Sequence, residues 1–471
     1  MDTTAFITDD ILTATGGELL SGQRAISFEG VSIDSRNISK SDLFVAIKGE
    51  NHDGHRFIPD VTTTGVRGII MDRRQAGRQP IEQWQQKHIS CIAVEDTVRA
   101  LGDMAALHRR RFNFPIAAIT GSNGKTTTRA MAAAVVGQKL NTLSTFGNLN
   151  NEIGVPLTLF RMNHSHKGAI LELGMNHRGE ILRLGQMCQP DFGLITNIGP
   201  AHLEGLGTIE DVMAAKAELL ENIKEDGTIV LNGDDPFCLQ IGASTDLNVL
   251  YFGRSMDADI RAVNIRIKGI GSAFTLELPK ESILVELFVP GQFMVLNALA
   301  AAAIGHLFGC SGKEIKTGLE SFSPVQGRMD LKQTQQGFFL IDDTYNANPD
   351  SMEAAIQTLV SLKDQKKRVL VAGDMLELGA DAELLHEKIG RIAAKSGVTK
   401  LYLTGDYAAS VAKGAQNQGM PDADIIKGNK DDLVKALNGF LGPGDCALVK
   451  GSRGAGMEEI VRQLEAVVEP I

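Results

Sequence analysis

The sequence has few cysteines, no long apolar run and no surplus of positive charge, and each shortage removes a class of protein. The five cysteines, Cys91, Cys188, Cys238, Cys310 and Cys446, are odd in number, scattered, and never at metal-ligand spacing. That excludes a disulfide framework and a structural zinc site. The most apolar stretch, 294–308, is interrupted by Asn297 and His306 and is too short to span a bilayer. The first residues, Met-Asp-Thr-Thr-Ala-Phe, show no basic region followed by an apolar one, so a cytoplasmic location is expected. A net charge of −10 offers no basic field for nucleic acid or membrane. Any anionic ligand must be held by local donors. Nothing marks an oligomer, and a monomer is expected.

With 471 residues the chain is too long for one hydrophobic core, and three domains are expected. Residues 1–112 read as a small mixed α/β domain: short apolar runs at 30–33, 43–47, 68–71 and 89–94, the last broken by Ser90, alternate with Asp- and Gly-rich turns. A helix is predicted over 97–111. Residues 113–325 alternate strand and helix, with strands at 116–119, 168–172, 192–196 and 228–231 and helices at 129–138 and 212–223. This implies a mostly parallel sheet covered on both faces. From 326 to 471 the alternation restarts, with strands at 338–342, 368–372, 400–404 and 446–450, and predicts a second doubly wound, Rossmann-like unit. The fold class is α/β throughout.

The strongest signal is Thr120-Gly-Ser-Asn-Gly-Lys-Thr-Thr-Thr128, set between an apolar strand and a helix. Gly121 and Gly124 let the amides of Ser122 and Asn123 turn towards a phosphate chain, and the helix N-terminus adds a positive dipole end. Lys125 can reach the β- and γ-phosphates of ATP, and the hydroxyls of Thr126 and Thr127 lie at the mouth of the loop, Thr126 as a Mg²⁺ ligand. The usual pattern places a glycine four residues before the Gly-Lys pair. Here that position is Ile119, so the loop is a shortened variant.

A phosphate loop needs an acid to complete its Mg²⁺ site. Glu172 ends the strand 168–172, on the edge of a parallel sheet where ligands bind. His202 lies just past another strand end; taken alone, such a histidine is more often structural than a ligand. Lys216, on the helix predicted over 212–223, reads by pattern as a solvated lysine. The glycine run Lys450-Gly-Ser-Arg-Gly-Ala-Gly456 lacks a Lys-Thr pair and reads as a strand-to-helix turn, not a second phosphate loop.

Taken together, these motifs resemble the Mur ligases, ATP-dependent amide-forming enzymes of peptidoglycan precursor synthesis. The resemblance rests on Ile119-Thr-Gly-Ser-Asn-Gly-Lys-Thr-Thr127, Leu171-Glu-Leu-Gly174, Thr196-Asn-Ile-Gly-Pro-Ala-His202, Lys216-Ala-Glu218, Leu231-Asn-Gly-Asp-Asp-Pro236 and residues 291–298. Asp34-Ser-Arg36, Leu43-Phe-Val-Ala-Ile-Lys-Gly49 and Asp53-Gly-His55 look like the uridine-nucleotide-binding first domain of the two late-acting members. The Asp-Asn-Pro-Arg motif of the member that adds a diamino acid is missing. Gly327-Arg-Met329 and Ile341-Asp-Asp-Thr-Tyr-Asn-Ala-Asn-Pro-Asp-Ser-Met352 resemble instead the members that add D-alanyl-D-alanine to a UDP-N-acetylmuramoyl-tripeptide.

The resemblance implies a chemistry and a set of residue roles. The tripeptide carboxylate attacks ATP to give an acyl phosphate, and the dipeptide amine then displaces phosphate through a tetrahedral intermediate. Thr126 and Glu172 would hold one Mg²⁺, and His202 would help hold a second. Lys216 matches a lysine that is carbamylated in several members. Asn297 would meet adenine, and Arg328 and Asp343 would reach the nucleotide when the last domain closes. Ser35 and Arg36 would meet the uridine diphosphate. Asn148, Asn150 and Asn151 lie where substrate is expected, and Tyr345, Asn346 and Asn348 near the dipeptide. Two other readings stay open at this point: a phosphate-loop ATPase or switch, and another ligase of the superfamily, including the sibling that adds the diamino acid. The first domain argues against a folate-directed ligase, which begins directly with its ATPase domain.

Overall fold

Continuous runs of β-branched and apolar residues, cut by glycine turns and separated by amphipathic stretches, generate three large sheets among the described residues, whose central parallel strands are buried on both faces. Besides these there is a two-stranded antiparallel pair, Phe6–Ile7 with Ser27–Phe28. The computed structural model describes residues 5–49, 52–268, 270–362 and 365–465.

The first sheet has five strands in the spatial order Glu18–Ser21, Ser90–Val94, Gly68–Asp72, Asp42–Val45, Gly30–Ser32. Only the first of these runs antiparallel to its neighbour. Helix Thr97–Arg109 begins at Asp96, whose carboxylate accepts from the amides of Val98 and Arg99, a standard satisfaction of orphan helix donors. The interruption expected at Ser90 is absent. Ser90 is fully buried and opens the strand, because the strand is covered on both sides.

The second sheet carries the phosphate loop. Its nine strands run in the order Glu281–Leu287, Gly271–Leu278, Ile260–Lys268, Asn248–Gly253, Thr228–Asn232, Phe192–Ile195, Ile116–Thr120, Gly168–Glu172, Thr142–Ser144. The seven from Ile260–Lys268 onward are parallel, and the other two add an antiparallel edge. That edge is not evident in the sequence: Ile260–Lys268 alternates apolar with Arg, Asn and Lys and faces solvent at its far end. The strand before the loop lies between Phe192–Ile195 and Gly168–Glu172, with Ile195 opposite Thr120 and Glu172 opposite Ile119. Parallel register alone therefore sets three strand ends side by side.

Two predicted helices need new boundaries. The helix after the loop runs Lys125–Val136 and starts four residues earlier than its apolar pattern suggests, since Gly124 at φ 81 completes the turn at once. The helix predicted over 212–223 is an α-helix Ile209–Ala217, begun by Thr208, followed by a 3₁₀ turn Glu218–Asn222.

The third sheet has six strands, Asp330–Gln333, Phe339–Asp343, Cys446–Lys450, Arg368–Ala372, Lys400–Leu403 and Ile425–Lys427, all parallel except the first. The run 450–456 is a strand end, a 3₁₀ turn Arg453–Ala455 and then helix Glu458–Glu465. All five cysteines are buried and unpaired. Among the described residues, no helix is long and apolar enough to cross a membrane.

Candidate active site

The loop at 120–127 is shaped by two glycines that no other residue could replace without movement. Gly121 has φ 145, and a Cβ there would lie 1.9 Å from the Thr196 hydroxyl. Gly124 has φ 81, and its Cβ would lie 2.4 Å from Asn297 Oδ1. The loop is bonded to the neighbouring strand end at several points. Ser122 Oγ donates to Gly199 O at 3.0 Å and accepts from Gly199 N at 2.9 Å. Asn123 N donates to Asn197 Oδ1 at 2.9 Å, and Thr196 Oγ1 donates to Asn123 O at 2.5 Å. A cradle held in this way is organised before any anion arrives.

Lys125 folds back across the loop, its Nζ donating to Gly121 O at 2.7 Å. Burial pushes its ammonium down to about 8, with Arg328 acting in the same direction and Glu172 against it. Beside it, Thr126 Oγ1 donates to Glu172 Oε1 at 3.1 Å, and Asn150 Nδ2 donates to the same oxygen at 2.9 Å. Glu172 is 2% exposed. Its second oxygen is buried without a hydrogen bond, and Arg129 Nε stands 3.6 Å away, also unsatisfied. Such groups are rarely left unpaired. An orphaned carboxylate oxygen next to a threonine hydroxyl suits a hard cation that takes its other ligands from phosphate and water, as Mg²⁺ does. Among the described residues there is no cluster of three or more His, Cys, Asp or Glu side chains that would make an all-protein cage.

A cavity of about 250 Å³ opens from the loop between helix Phe293–Leu307 and the third sheet. Ile198, Phe252, Phe293 and Ala300 line its apolar walls, and Asn297, Arg328, Asp343, Asp350 and Lys450 bring polar groups to it. Asn297 is buried and its Oδ1 accepts from Thr128 Oγ1 at 3.3 Å. Asp343 is held by Met329 N at 3.1 Å and by Lys450 Nζ at 2.5 Å. Burial lowers the Lys450 ammonium, and Asp343 offsets part of that. The Arg328 guanidinium lies 4.0 Å over the Tyr345 ring, a stacking that desolvation strengthens.

At the phosphate end a smaller cavity of about 60 Å³ is lined by Ser122, Lys125, His202, Asn346, Asn348 and Glu377, among others. His202 Nδ1 is 2.7 Å from Glu377 Oε2. Asn348 caps helix Pro349–Ser361 by accepting from Ser351 N at 2.9 Å, and its amide donates to Asn123 Oδ1 at 2.8 Å. Lys216 is 1% exposed, not solvated as its sequence pattern suggests. Its side chain lies on the same helix face as Val212 and Ala215, which are also buried. Desolvation first, and then the neighbouring Lys125, hold its amine well below the ordinary lysine range.

The remaining candidates are more dispersed. Arg36 forms a two-pronged pair with Asp34, both contacts at 2.9 Å, on the exposed edge of the first unit, and it draws the Asp34 carboxyl to about 2; Ser35 is half-buried between them. Asn148 is exposed and lines a cavity of about 580 Å³ with Thr126, Arg328, Tyr345 and Arg453. Asn151 Oδ1 accepts from Gly154 N at 2.9 Å and so anchors the start of helix Gly154–Leu159. Three residues at the site escape sequence reasoning: Asn197, Glu377 and Lys450. Asn197 was within reach, since it sits in the Thr196-Asn-Ile-Gly-Pro motif, and Lys450 opens the glycine run read only as a turn; nothing local marks Glu377.

Family models match three consecutive stretches: "Mur ligase family, catalytic domain" over residues 27–109, "Mur ligase middle domain" over 119–305 and "Mur ligase, glutamate ligase domain" over 327–453. The chain is 37% identical over 449 residues to the UDP-N-acetylmuramoyl-tripeptide–D-alanyl-D-alanine ligase of Escherichia coli (strain K12), covering 93% of this chain and 94% of that one. Among solved structures it is similar to MurF from Acinetobacter baumannii, with TM-score 0.89, 30% identity and coverage of 99% and 100% of the two chains. It is also similar to the MurF ligase from Thermotoga maritima in complex with ADP, with TM-score 0.82, 26% identity and coverage of 93% and 97%. On this evidence the chain belongs to the Mur ligase family.

Proposed function

We propose that the chain joins D-alanyl-D-alanine to a UDP-N-acetylmuramoyl-tripeptide, consuming ATP and releasing ADP and phosphate, in cytoplasmic peptidoglycan precursor synthesis. The observation that carries this reading is the end-to-end likeness, including the first unit, to UDP-N-acetylmuramoyl-tripeptide–D-alanyl-D-alanine ligases, at 37% identity to one of them. In this reading residues 1–112 hold the uridine diphosphate through Ser35 and Arg36, 113–325 bind ATP, and 326–471 close over it and bring the dipeptide. The chain acts as a monomer.

The chemistry brings two anions together, the tripeptide carboxylate and the ATP γ-phosphate. Lys125 and the first-turn amides of helix Lys125–Val136 offset that repulsion and are organised before substrate binds, whereas the amides of Ser122 and Asn123, expected to face phosphate, already donate to Asn197. Thr126 and Glu172 would hold a Mg²⁺, whose charge would offset that of the phosphates, and His202 would help hold a second ion. Asn297 faces the adenine, while Arg328 and Asp343 reach the nucleotide from the third sheet. Asn148 borders the peptide channel, Asn150 orients Glu172, and Asn151 fixes the loop between them. The dipeptide amine then attacks the acyl carbon next to Tyr345, Asn346 and Asn348, and phosphate leaves.

Lys216 supports carbamylation on physical grounds: a desolvated lysine with no carboxylate to offset Lys125 favours the neutral amine. That amine adds to CO₂, forming an N–C bond with loss of one proton. The product is a carboxylate beside the Lys125 ammonium, where it would also be able to hold a cation.

The direct test is phosphate release with UDP-linked tripeptide, with and without D-alanyl-D-alanine. Release that requires the dipeptide supports the ligase. Release indifferent to it, or dependent on a diamino acid instead, refutes the assignment.

A further inference from the structure

Two residues other than glycine adopt left-handed backbone on opposite sides of the junction between the second and third sheets, and their side chains meet. His202 has φ 58 and Glu377 has φ 63. Non-glycine residues hold such conformations only where the surroundings over-determine them, and they concentrate at functional sites. His202 follows the strand Phe192–Ile195, and Glu377 follows Arg368–Ala372. The backbones also touch: Glu204 N donates to Glu377 O at 3.2 Å, and a Cβ on Gly379 would lie 3.8 Å from Glu204 Cα.

The consequence lies in the imidazole. Its Nδ1 is 2.7 Å from Glu377 Oε2. A carboxylate can only accept, so Nδ1 carries a proton, and in the neutral ring the lone pair is left on Nε2. The same ring lines the cavity that contains Lys125 and the loop. In metal sites a carboxylate behind the histidine commonly sets the tautomer and ring orientation.

We propose that Glu377 is a positioning residue. By accepting from His202 Nδ1 it presents His202 Nε2 to the cation beside the transferred phosphate, and because Glu377 belongs to the third sheet, that nitrogen is set only when this unit docks. Closure and completion of the cation site are thus one event. Nucleotide bound to the second sheet alone is not enough. The inference rests on the role proposed for His202, and its test keeps the two apart.

The experiment compares the full-length protein with Glu377→Asn and Glu377→Gln. Asparagine tolerates left-handed backbone and so preserves the turn, but it is too short to reach His202. Glutamine keeps the length and the accepting oxygen without the charge. In each, ¹⁵N NMR of labelled histidine reads the His202 tautomer with a non-hydrolysable ATP analogue bound, and Mn²⁺ binding is followed by electron paramagnetic resonance.

The wild type is expected to show Nδ1–H. Glu377→Asn should shift the tautomer towards Nε2–H and weaken the second Mn²⁺ about tenfold, a typical loss for an outer-shell partner, while leaving nucleotide affinity within about twofold. Glu377→Gln should fall between them. A wild-type tautomer and unchanged Mn²⁺ binding in Glu377→Asn would overturn the proposal. If Glu377→Asn does not fold, the same readings on Glu377→Gln decide it: wild-type values there overturn it. Neither readout uses the muramoyl substrate or the dipeptide, so an error in the ligase assignment appears separately, as absent turnover in the wild type.

Discussion

Lys125 makes ATP affinity a function of pH. With its ammonium at about 8 in the nucleotide-free protein, the side chain is about 90% charged at pH 7 and about 10% charged at pH 9. Bound polyphosphate favours the charged form and raises the pKa, so binding takes up a proton. The sign follows: affinity is fully present below the free-state pKa and is lost as pH rises towards the bound-state one. If only the ammonium form binds well, the apparent Kd rises about twofold from pH 7 to 8 and about tenfold from pH 7 to 9, equivalent to ~1.4 kcal/mol.

Calorimetry with a non-hydrolysable ATP analogue reads this twice. The Kd gives the slope, and the heat in buffers of different ionisation enthalpy gives about half a proton taken up at pH 8. Lys125→Arg isolates the cause, because guanidinium stays charged and Lys216 is still present. That variant should bind with a flat profile from pH 7 to 9. A wild-type Kd equal at pH 7 and 9 would refute the argument that burial has depressed Lys125.

Four further outcomes are expected. Glu172→Gln should leave the fold intact and reduce turnover by about 10²–10³-fold, the scale of losing one preorganised charge contact; a circular-dichroism melt run beside the phosphate assay checks both halves. Gly121→Ala drives a Cβ to 1.9 Å from the Thr196 hydroxyl and should abolish nucleotide binding at a cost of ~2–3 kcal/mol in stability, read by analogue titration and denaturant unfolding. Lys450→Met leaves Asp343 buried without its cation and should cost ~3–5 kcal/mol, while Lys450→Met combined with Asp343→Leu should recover much of it; equal losses in the single and double variants would count against the pair. Depleting bicarbonate should lower turnover and restoring it should rescue, whereas Lys216→Arg should be inactive and insensitive to bicarbonate; a mass increase on Lys216 in the native protein is the independent check.

What the sequence disclosed, and what it hid, divide along a physical line. The phosphate loop is legible because its requirements are local: two glycines at positive φ, a Lys-Thr pair and a helix start occupy eight adjacent residues. Glu172 is nearly as legible, since a parallel register puts the end of one strand opposite Ile119 of the next. The burial of Lys216 is not. Val212, Ala215 and Lys216 share a helix face, and periodicity cannot say whether a face carrying a lysine turns to solvent or into a pocket. The antiparallel edge of the second sheet was missed for a related reason, because Ile260–Lys268 mixes Arg, Asn and Lys into its alternation.

The contacts that make the loop part of a ligase belong to a third category. His202 pairs with Glu377 across 175 residues, and Asn123 with Asn348 across 225. The second and third units share a buried apolar cluster that includes Met294, Met329, Ile341 and Met352. But a unit that must close over one substrate and open to release another is best joined at the phosphates by polar contacts, which exchange readily with water. The junction at the phosphates is therefore made of a few polar side chains on strand-end loops. Such contacts leave no hydrophobic stripe and no period in the chain. Phosphate binding can be read from adjacent residues because its donors lie in one loop and one helix start, whereas the contacts between the second and third units use side chains far apart in the chain. Glu377 falls in this second group, which is why the pattern around it gave no sign of its partner.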